Sequence, residues 1–173
     1  HQQLTDYFSG KWADRAKPYS PWLAERVQRP KFFPGETAGD RMLPTQPLVV
    51  GGTLTDQAEK RLLNTRRIHE RVYHGIRAGD ALSAGQDLCS IEYVAAKVAE
   101  GEESELLREY GEALEAFVEA EPEVASALGE FMAFVGRNLD TVRLRVPMVP
   151  FQLAAQEPDA SGPHRALQQV LKR

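Results

Sequence analysis

The spacing of hydrophobic positions divides the chain into two parts, because a helical period begins at Thr53 and no regular period precedes it. The clearest helix is predicted over residues 102–120, where apolar side chains recur at i, i+3, i+4 and i+7. They are Leu106, Leu107, Tyr110, Ala113, Leu114, Phe117 and Val118. A similar helix is predicted from Pro122 to about Asp140. Its apolar face consists of Val124, Leu128, Phe131, Met132, Val135 and Leu139.

Weaker patterns predict the remaining helices. One begins at Thr53 or Thr55, whose hydroxyl groups can cap it, and runs to about Arg77. Residues 78–87 are predicted as a turn region or a weak short helix, and residues 88–100 as a helix. The last helix is predicted to start after Ser161 and Pro163.

One segment alternates apolar and basic residues instead of following a helical period. Residues 142–153, VRLRVPMVPFQL, keep this alternation until prolines interrupt it. Such a pattern is typical of an edge strand or an extended arm. We expect residues 142–146 to pair with residues 47–50 in a small two-stranded β patch.

Residues 1–52 are predicted to form an extended N-terminal arm. They hold seven aromatic residues and six of the 11 prolines. A short helix is plausible at 21–28, where Ser20 can cap it, and extended chain and turns are expected after it. We expect the arm to wrap over the helical domain, residues 53–173. The predicted fold is therefore mainly α, a bundle-like domain of four to five helices with this arm and the small β patch.

Composition narrows the class of protein. With 173 residues, 42% hydrophobic and 27% charged, the chain is expected to be one globular unit. Its apolar runs are too short to span a membrane, and a single cysteine excludes a disulfide within one chain. These features favour a cytoplasmic location. The charge is uneven, since residues 1–80 carry 13 Lys and Arg against 9 Asp and Glu, and residues 81–173 carry 8 against 16.

The densest basic stretch is residues 60–77, KRLLNTRRIHERVYHGIR. On a helical wheel, Lys60, Arg67 and Arg71 fall on the outer side, with Arg66 beside the apolar arc. Such a stripe is able to contact successive phosphates of a nucleic acid. Such a stripe is more often a solvated helix face. No spacing of a known DNA-binding motif accompanies it.

An acidic stretch offers the stripe a different partner. Residues 100–123 contain ten Glu and one Arg. The acids on the side away from the apolar arc are Glu105, Glu109, Glu112, Glu115 and Glu119. This face is interpreted as solvated, or as meeting the basic helix or a basic partner.

Candidate chemical groups are few, and no cofactor, metal or catalytic motif is predicted. His69 falls within the apolar arc, where a lone histidine is usually a core residue. Cys89 is able to act as a nucleophile only with a base and an oxyanion site beside it. An enzyme that uses either residue is the weakest of three hypotheses.

The favoured hypothesis is a non-enzymatic subunit or accessory protein that acts through a protein partner or self-association. The aromatic, proline-rich arm and the two opposite charge faces motivate it. Its predicted anchors are Trp12, Trp22, Phe32 and Phe33. The alternative is a nucleic-acid-binding protein that uses Lys60, Arg66, Arg67 and Arg71.

Overall fold

The computed structural model describes residues 1–13, 43–54, 56 and 60–173. These parts are mainly helical with one small antiparallel sheet, which confirms the predicted fold class. The strands are β1 Val49–Gly51 and β2 Leu62–Leu63. The helices are α1 Gln2–Phe8, α2 Thr65–Ala78, α3 Ala81–Leu88, α4 Ile91–Glu100, α5 Glu103–Phe117, α6 Pro122–Arg137, α7 Leu139–Val142, α8 Met148–Gln156 and α9 Gly162–Leu171.

The main hydrophobic core lies between one face of α2 to α6 and the inner faces of α8 and α9. Helices α5 and α6 bury the apolar faces that were predicted from their sequence period. Leu106, Tyr110 and Phe117 of α5 are buried together with Leu128 and Phe131 of α6. The two phenyl rings of Phe131 and Phe134 meet edge to face, with centroids 6.5 Å apart. The core therefore holds the ends of α3, α4 and α9 close together, and those ends line the site described below.

The helix predicted from Thr53 or Thr55 begins ten or more residues later, at Thr65. Its start is set by Asn64, whose side chain accepts a hydrogen bond of 3.1 Å from the Arg67 amide. The helix ends at Gly79, which has a left-handed φ of 70°. Asp80 then caps α3, so residues 81–88 form a helix and not a turn.

The predicted β patch is right about one strand and wrong about its partner. Val49 lies opposite Leu63 and Gly51 opposite Leu62. Residues 142–146 do not pair with them, because Val142 ends α7 and α8 follows from Met148. The prolines of this segment, Pro147 and Pro150, lie at the start of α8, where a backbone N–H has no helical partner to lose.

The described N-terminal residues form a helix that packs on α2. Phe8 is buried, and the guanidinium group of Arg66 lies 5.8 Å from the centre of its ring. Residues 2–8 are thus helical and not extended as predicted, and the docking of the arm as a whole stays a prediction. The helix predicted at 21–28 and most of the predicted extended chain lie outside the described residues. The boundary at residue 52 stays a prediction.

Candidate functional site

The basic helix turns a different face to the core from the one predicted. The buried residues of α2 are Ile68, Arg71, Val72, Gly75 and Ile76. Arg71 is therefore not on an outer stripe, since it is only 6% exposed. His69, predicted within the core, is exposed. The wheel was wrong because it included residues 60–64, which precede the helix and add Leu62 to the apolar arc.

The two arginines of α2 that face inward share one carboxylate. Arg67 donates to Asp87 Oδ1 at 3.3 Å and to the Gln46 carbonyl at 2.8 Å. Arg71 Nε lies 2.9 Å from Asp87 Oδ2, but these two atoms form no hydrogen bond. Burial lowers the pKa of Arg71 and raises the pKa of Asp87, and the attraction between them opposes both shifts. We call Arg67, Arg71 and Asp87 the open cluster.

The open cluster forms one wall of a cavity of about 590 Å³. The N-terminus of α4 adds Ser90 and Glu92, and α9 with the residues after it adds Arg165 and Arg173. Arg173 Nη1 lies 3.0 Å from Glu92 Oε2. Arg165 donates to the Ala160 carbonyl and has no ion pair among the residues described. We call this cavity the arginine groove.

A second charged cluster is largely buried, and of its four side chains Glu102 is partly exposed, at 23%. Lys97, with 0% exposure, lies 2.7 Å from Glu109 Oε1 and 3.1 Å from Glu102 Oε2. The Tyr93 hydroxyl is within hydrogen-bond distance of Glu109 Oε2 at 3.2 Å and of the Ile68 carbonyl at 2.8 Å. Burial raises the pKa of Glu109, against the opposing effect of Lys97. We call Tyr93, Lys97, Glu102 and Glu109 the closed cluster.

The acidic helix is less uniform than its sequence predicts. Glu109 was predicted on the solvated face but is 4% exposed and belongs to the closed cluster. Glu105 and Glu112 pair with Arg108 of the same helix. The link from α2 to this region is His69, which contacts Glu102. Thus the inward arginines of α2 pair with Asp87 of α3, and not with Glu105 or Glu112.

The nucleic-acid residues named from the sequence are distributed over different environments. Lys60 and Arg66 are exposed, and Arg66 also pairs with Glu70 at 3.2 Å. Arg67 and Arg71 point into the protein and line the arginine groove. The four side chains therefore do not share one exposed stripe. Nucleic-acid binding through them stays a prediction.

Cys89 is poorly suited to nucleophilic chemistry. Burial, with a smaller contribution from Glu130, raises the pKa of its thiol to about 12. A thiol in this state is almost entirely protonated at neutral pH, whereas the thiolate is the reactive form. His69 is paired with Glu102, and His74 with His1 at 2.7 Å between their Nδ1 atoms. Neither pair is joined by a third His, Cys, Asp or Glu into a metal-binding group within the described residues.

Of the predicted partner-binding anchors, the structure describes Trp12. It is half-buried, next to a short bridge between Ala13 and Leu43. The predictions for Trp22, Phe32 and Phe33 lie outside the described residues.

Among the described residues, exposed large apolar side chains are grouped most closely in residues 143–148, which we call the exposed turn. Leu144 is 67% exposed and Val146 is 45% exposed. Backbone hydrogen bonds from Leu144 to Thr141 and from Arg145 to Val142 fix its course. Arg145 has a left-handed φ of 57°. Its guanidinium packs so closely on Gly101 that a Cβ there would lie 2.6 Å from Cζ.

Sequence reasoning identified part of each surface. Arg67 and Arg71 were noticed, but Asp87, Arg165 and Arg173 were not. A carboxylate in the otherwise weakly polar stretch ALSAGQDL was the available signal for a buried charge. The alternation of apolar and basic residues marked the exposed turn, although it was interpreted as a strand.

The arrangement does not identify a family. No family model, curated protein or solved structure matches the chain. None of the helices in the described parts of the chain is both long and apolar enough to cross a lipid bilayer.

Proposed function

We propose that this protein is a non-enzymatic accessory subunit that binds a partner protein through the exposed turn. The observation that carries the proposal is the exposure of Leu144, Val146 and Met148 within five residues of chain. Exposed apolar side chains grouped in this way are typical of protein-binding sites. Single exposed apolar residues, such as Leu82, need no such explanation.

The charge of the turn indicates the kind of partner. Arg143 and Arg145 alternate with the apolar side chains and are exposed. Arg143 forms two long ion pairs, with Asp140 at 3.6 Å and with Glu103 at 4.0 Å, and its side chain remains half exposed. A partner surface with apolar pockets and acidic side chains would complement this pattern, and the charges would mainly accelerate association and fix orientation.

The turn is also prepared for binding. Its backbone is held by hydrogen bonds at both ends, including 3.0 Å from the Val149 amide to the Val146 carbonyl. The packing of Arg145 on Gly101 holds its centre against the junction of α4 and α5. A segment that is already ordered loses less conformational entropy when a partner binds.

The test is a native purification that compares two matched variants. Leu144→Asp changes the turn, and Leu82→Asp changes a side chain that is 70% exposed on α3. We expect a stoichiometric partner to purify with the wild type and with Leu82→Asp but not with Leu144→Asp. Purification of the same partner with all three proteins, or of no partner with any of them, would contradict the proposal.

A further inference from the structure

The arginine groove carries an excess of positive charge that the protein does not neutralise. Four arginines and two carboxylates line it, so the lining itself carries two positive charges in excess, with one further carboxylate, Glu130, next to the lining residues Cys89 and Gly162. Asp87 serves both Arg67 and Arg71, and Glu92 pairs with Arg173. Arg165 has no carboxylate partner among the residues described. The groove therefore carries more positive charge than its own ion pairs require.

The polar groups inside the groove are also incompletely satisfied. Arg71 is nine-tenths buried and lines the cavity, yet its Nε forms no hydrogen bond to Asp87 Oδ2, which lies 2.9 Å away and also has no hydrogen-bond partner among the described residues. Arg67 Nε likewise has no hydrogen-bond partner in the described parts of the chain. Buried donors without partners are costly, and each deserves an explanation. An oxyanion that enters the groove would bring acceptors to the charged donors that line it.

We propose that the arginine groove binds a small phosphomonoester. Arg67 and Arg71 hold the phosphate from one side, and Arg165 and Arg173 close on it from the other. Arginine recognises phosphate oxygens through paired N–H donors in a fixed fork. The N-terminus of α4 at Ser90 adds its partial positive charge to the same cavity.

Charge and size select this ligand over others. A phosphomonoester carries a charge of about −1.5 to −2 at pH 7, which matches the excess in the groove better than the single charge of a carboxylate. The volume of about 590 Å³ falls in the range typical of small-molecule sites. Phe131, Ile91 and Val170 form an apolar wall that would cover the organic part of the ligand.

The first experiment measures binding of three small anions to the wild-type protein by calorimetry in a phosphate-free buffer. Phenyl phosphate should bind at one saturable site. Inorganic phosphate should bind more weakly because it lacks the apolar part. Benzoate, which keeps the ring but has one charge, should bind about tenfold more weakly than phenyl phosphate.

Two positions of the groove, exposed Arg165 and half-buried Glu92, are expected to give effects of opposite sign. Arg165→Gln removes the unpaired charge and should weaken phenyl phosphate binding by about threefold to fivefold. Glu92→Gln removes a negative charge and releases Arg173, so it should strengthen binding by a similar factor. The matched control is Arg108→Gln, which removes an exposed, ion-paired arginine outside the groove and should change nothing.

Arg71→Lys tests the buried contact, since it keeps the charge and loses the planar fork. It should weaken binding by about tenfold or more while the circular dichroism melting curve shows a folded protein. If this variant does not fold, Arg165→Gln and Glu92→Gln still test whether the groove binds the phosphate.

Any one of several results would overturn the proposal. They are no saturable binding of phenyl phosphate, equal affinity for phenyl phosphate and benzoate, or unchanged affinity in both Arg165→Gln and Glu92→Gln. Tighter binding of an oligothymidylate than of phenyl phosphate would also overturn it, because the site would then select a phosphodiester backbone. Partner purification through the exposed turn does not depend on any of these outcomes.

Discussion

The two charged clusters of this protein lie about one helix apart in sequence. They differ in how completely their charges and hydrogen bonds are satisfied. In the closed cluster, Lys97 meets two carboxylates, and the Tyr93 hydroxyl meets both Glu109 and a backbone carbonyl. In the open cluster, two arginines share Asp87 and face a cavity. Both clusters are largely buried, but of the two only the open one retains buried polar atoms without a hydrogen bond among the described residues, namely Arg67 Nε, Arg71 Nε and Asp87 Oδ2.

The difference shows how to separate structural charges from charges that are available to a ligand. A buried ion pair is tolerated when hydrogen bonds and opposite charges satisfy it, and it then specifies how the elements around it fit together. Lys97 and Glu109 connect α4 to α5 in this way. Excess charges beside a cavity are not satisfied in this way, so a structural role does not explain them. The first two of the four predictions below test this distinction, and all four run from the largest expected effect to the smallest.

The largest effect is expected from Lys97→Met. The change leaves Glu109 buried without its positive partner, and removing one member of a buried pair typically costs about 3–5 kcal/mol. Chemical denaturation would measure the loss in the free energy of unfolding. The control is the double variant Lys97→Met, Glu109→Met, which should recover much of the loss because no lone charge remains. A single variant that loses less than about 1 kcal/mol would show that the closed cluster is not structural.

Arg71→Met should cost less, about 1–3 kcal/mol, although Arg71 is also buried. Asp87 keeps Arg67 as a partner after this change, and water in the groove is able to solvate the vacated position. The same denaturation experiment gives the comparison directly. If Arg71→Met destabilises the protein as much as Lys97→Met, the open cluster is as structural as the closed one.

Cys89 lines the groove but should behave as a protected thiol. Its pKa is raised from 9.0 to about 12, so the thiolate fraction near pH 8 is about a thousandfold lower than in the unfolded chain. Alkylation by iodoacetamide should be slower in the native protein by a comparable factor. The same shift lowers stability as pH rises from about 9 toward 12, because only the unfolded chain loses the proton in that window. Equal alkylation rates in native and denatured protein would refute the shift.

The smallest effect on stability is expected at the exposed turn. Leu144→Ser should change the free energy of unfolding by less than about 0.5 kcal/mol, because the side chain is 67% exposed. Gly101→Ala should cost clearly more, since its φ is 76° and its added Cβ would collide with Arg145. A large loss from Leu144→Ser would mean that the turn supports the fold and is not a free surface.

Sequence alone predicts this fold better than it predicts the site. The helices α5 and α6 were predicted because Leu106, Tyr110 and Phe131 repeat with the period of a helix face. The start of α2 was not predicted correctly, because Thr53 and Asn64 are both good N-caps. The pairing of β1 with β2 decides between them. The groove needs Arg67 and Arg165, nearly 100 residues apart, to meet in space. No local pattern specifies such a distance.

The most direct test of the open cluster follows the Nε–H signals of its arginines by ¹H–¹⁵N NMR while phenyl phosphate is added. The Arg71 signal is assigned by its loss in Arg71→Lys. We predict that it shifts with the titration and saturates, while the Arg108 signal remains in place. An Arg71 signal that does not move, or that moves only as much as that of Arg108, would contradict the assignment of the open cluster to a ligand.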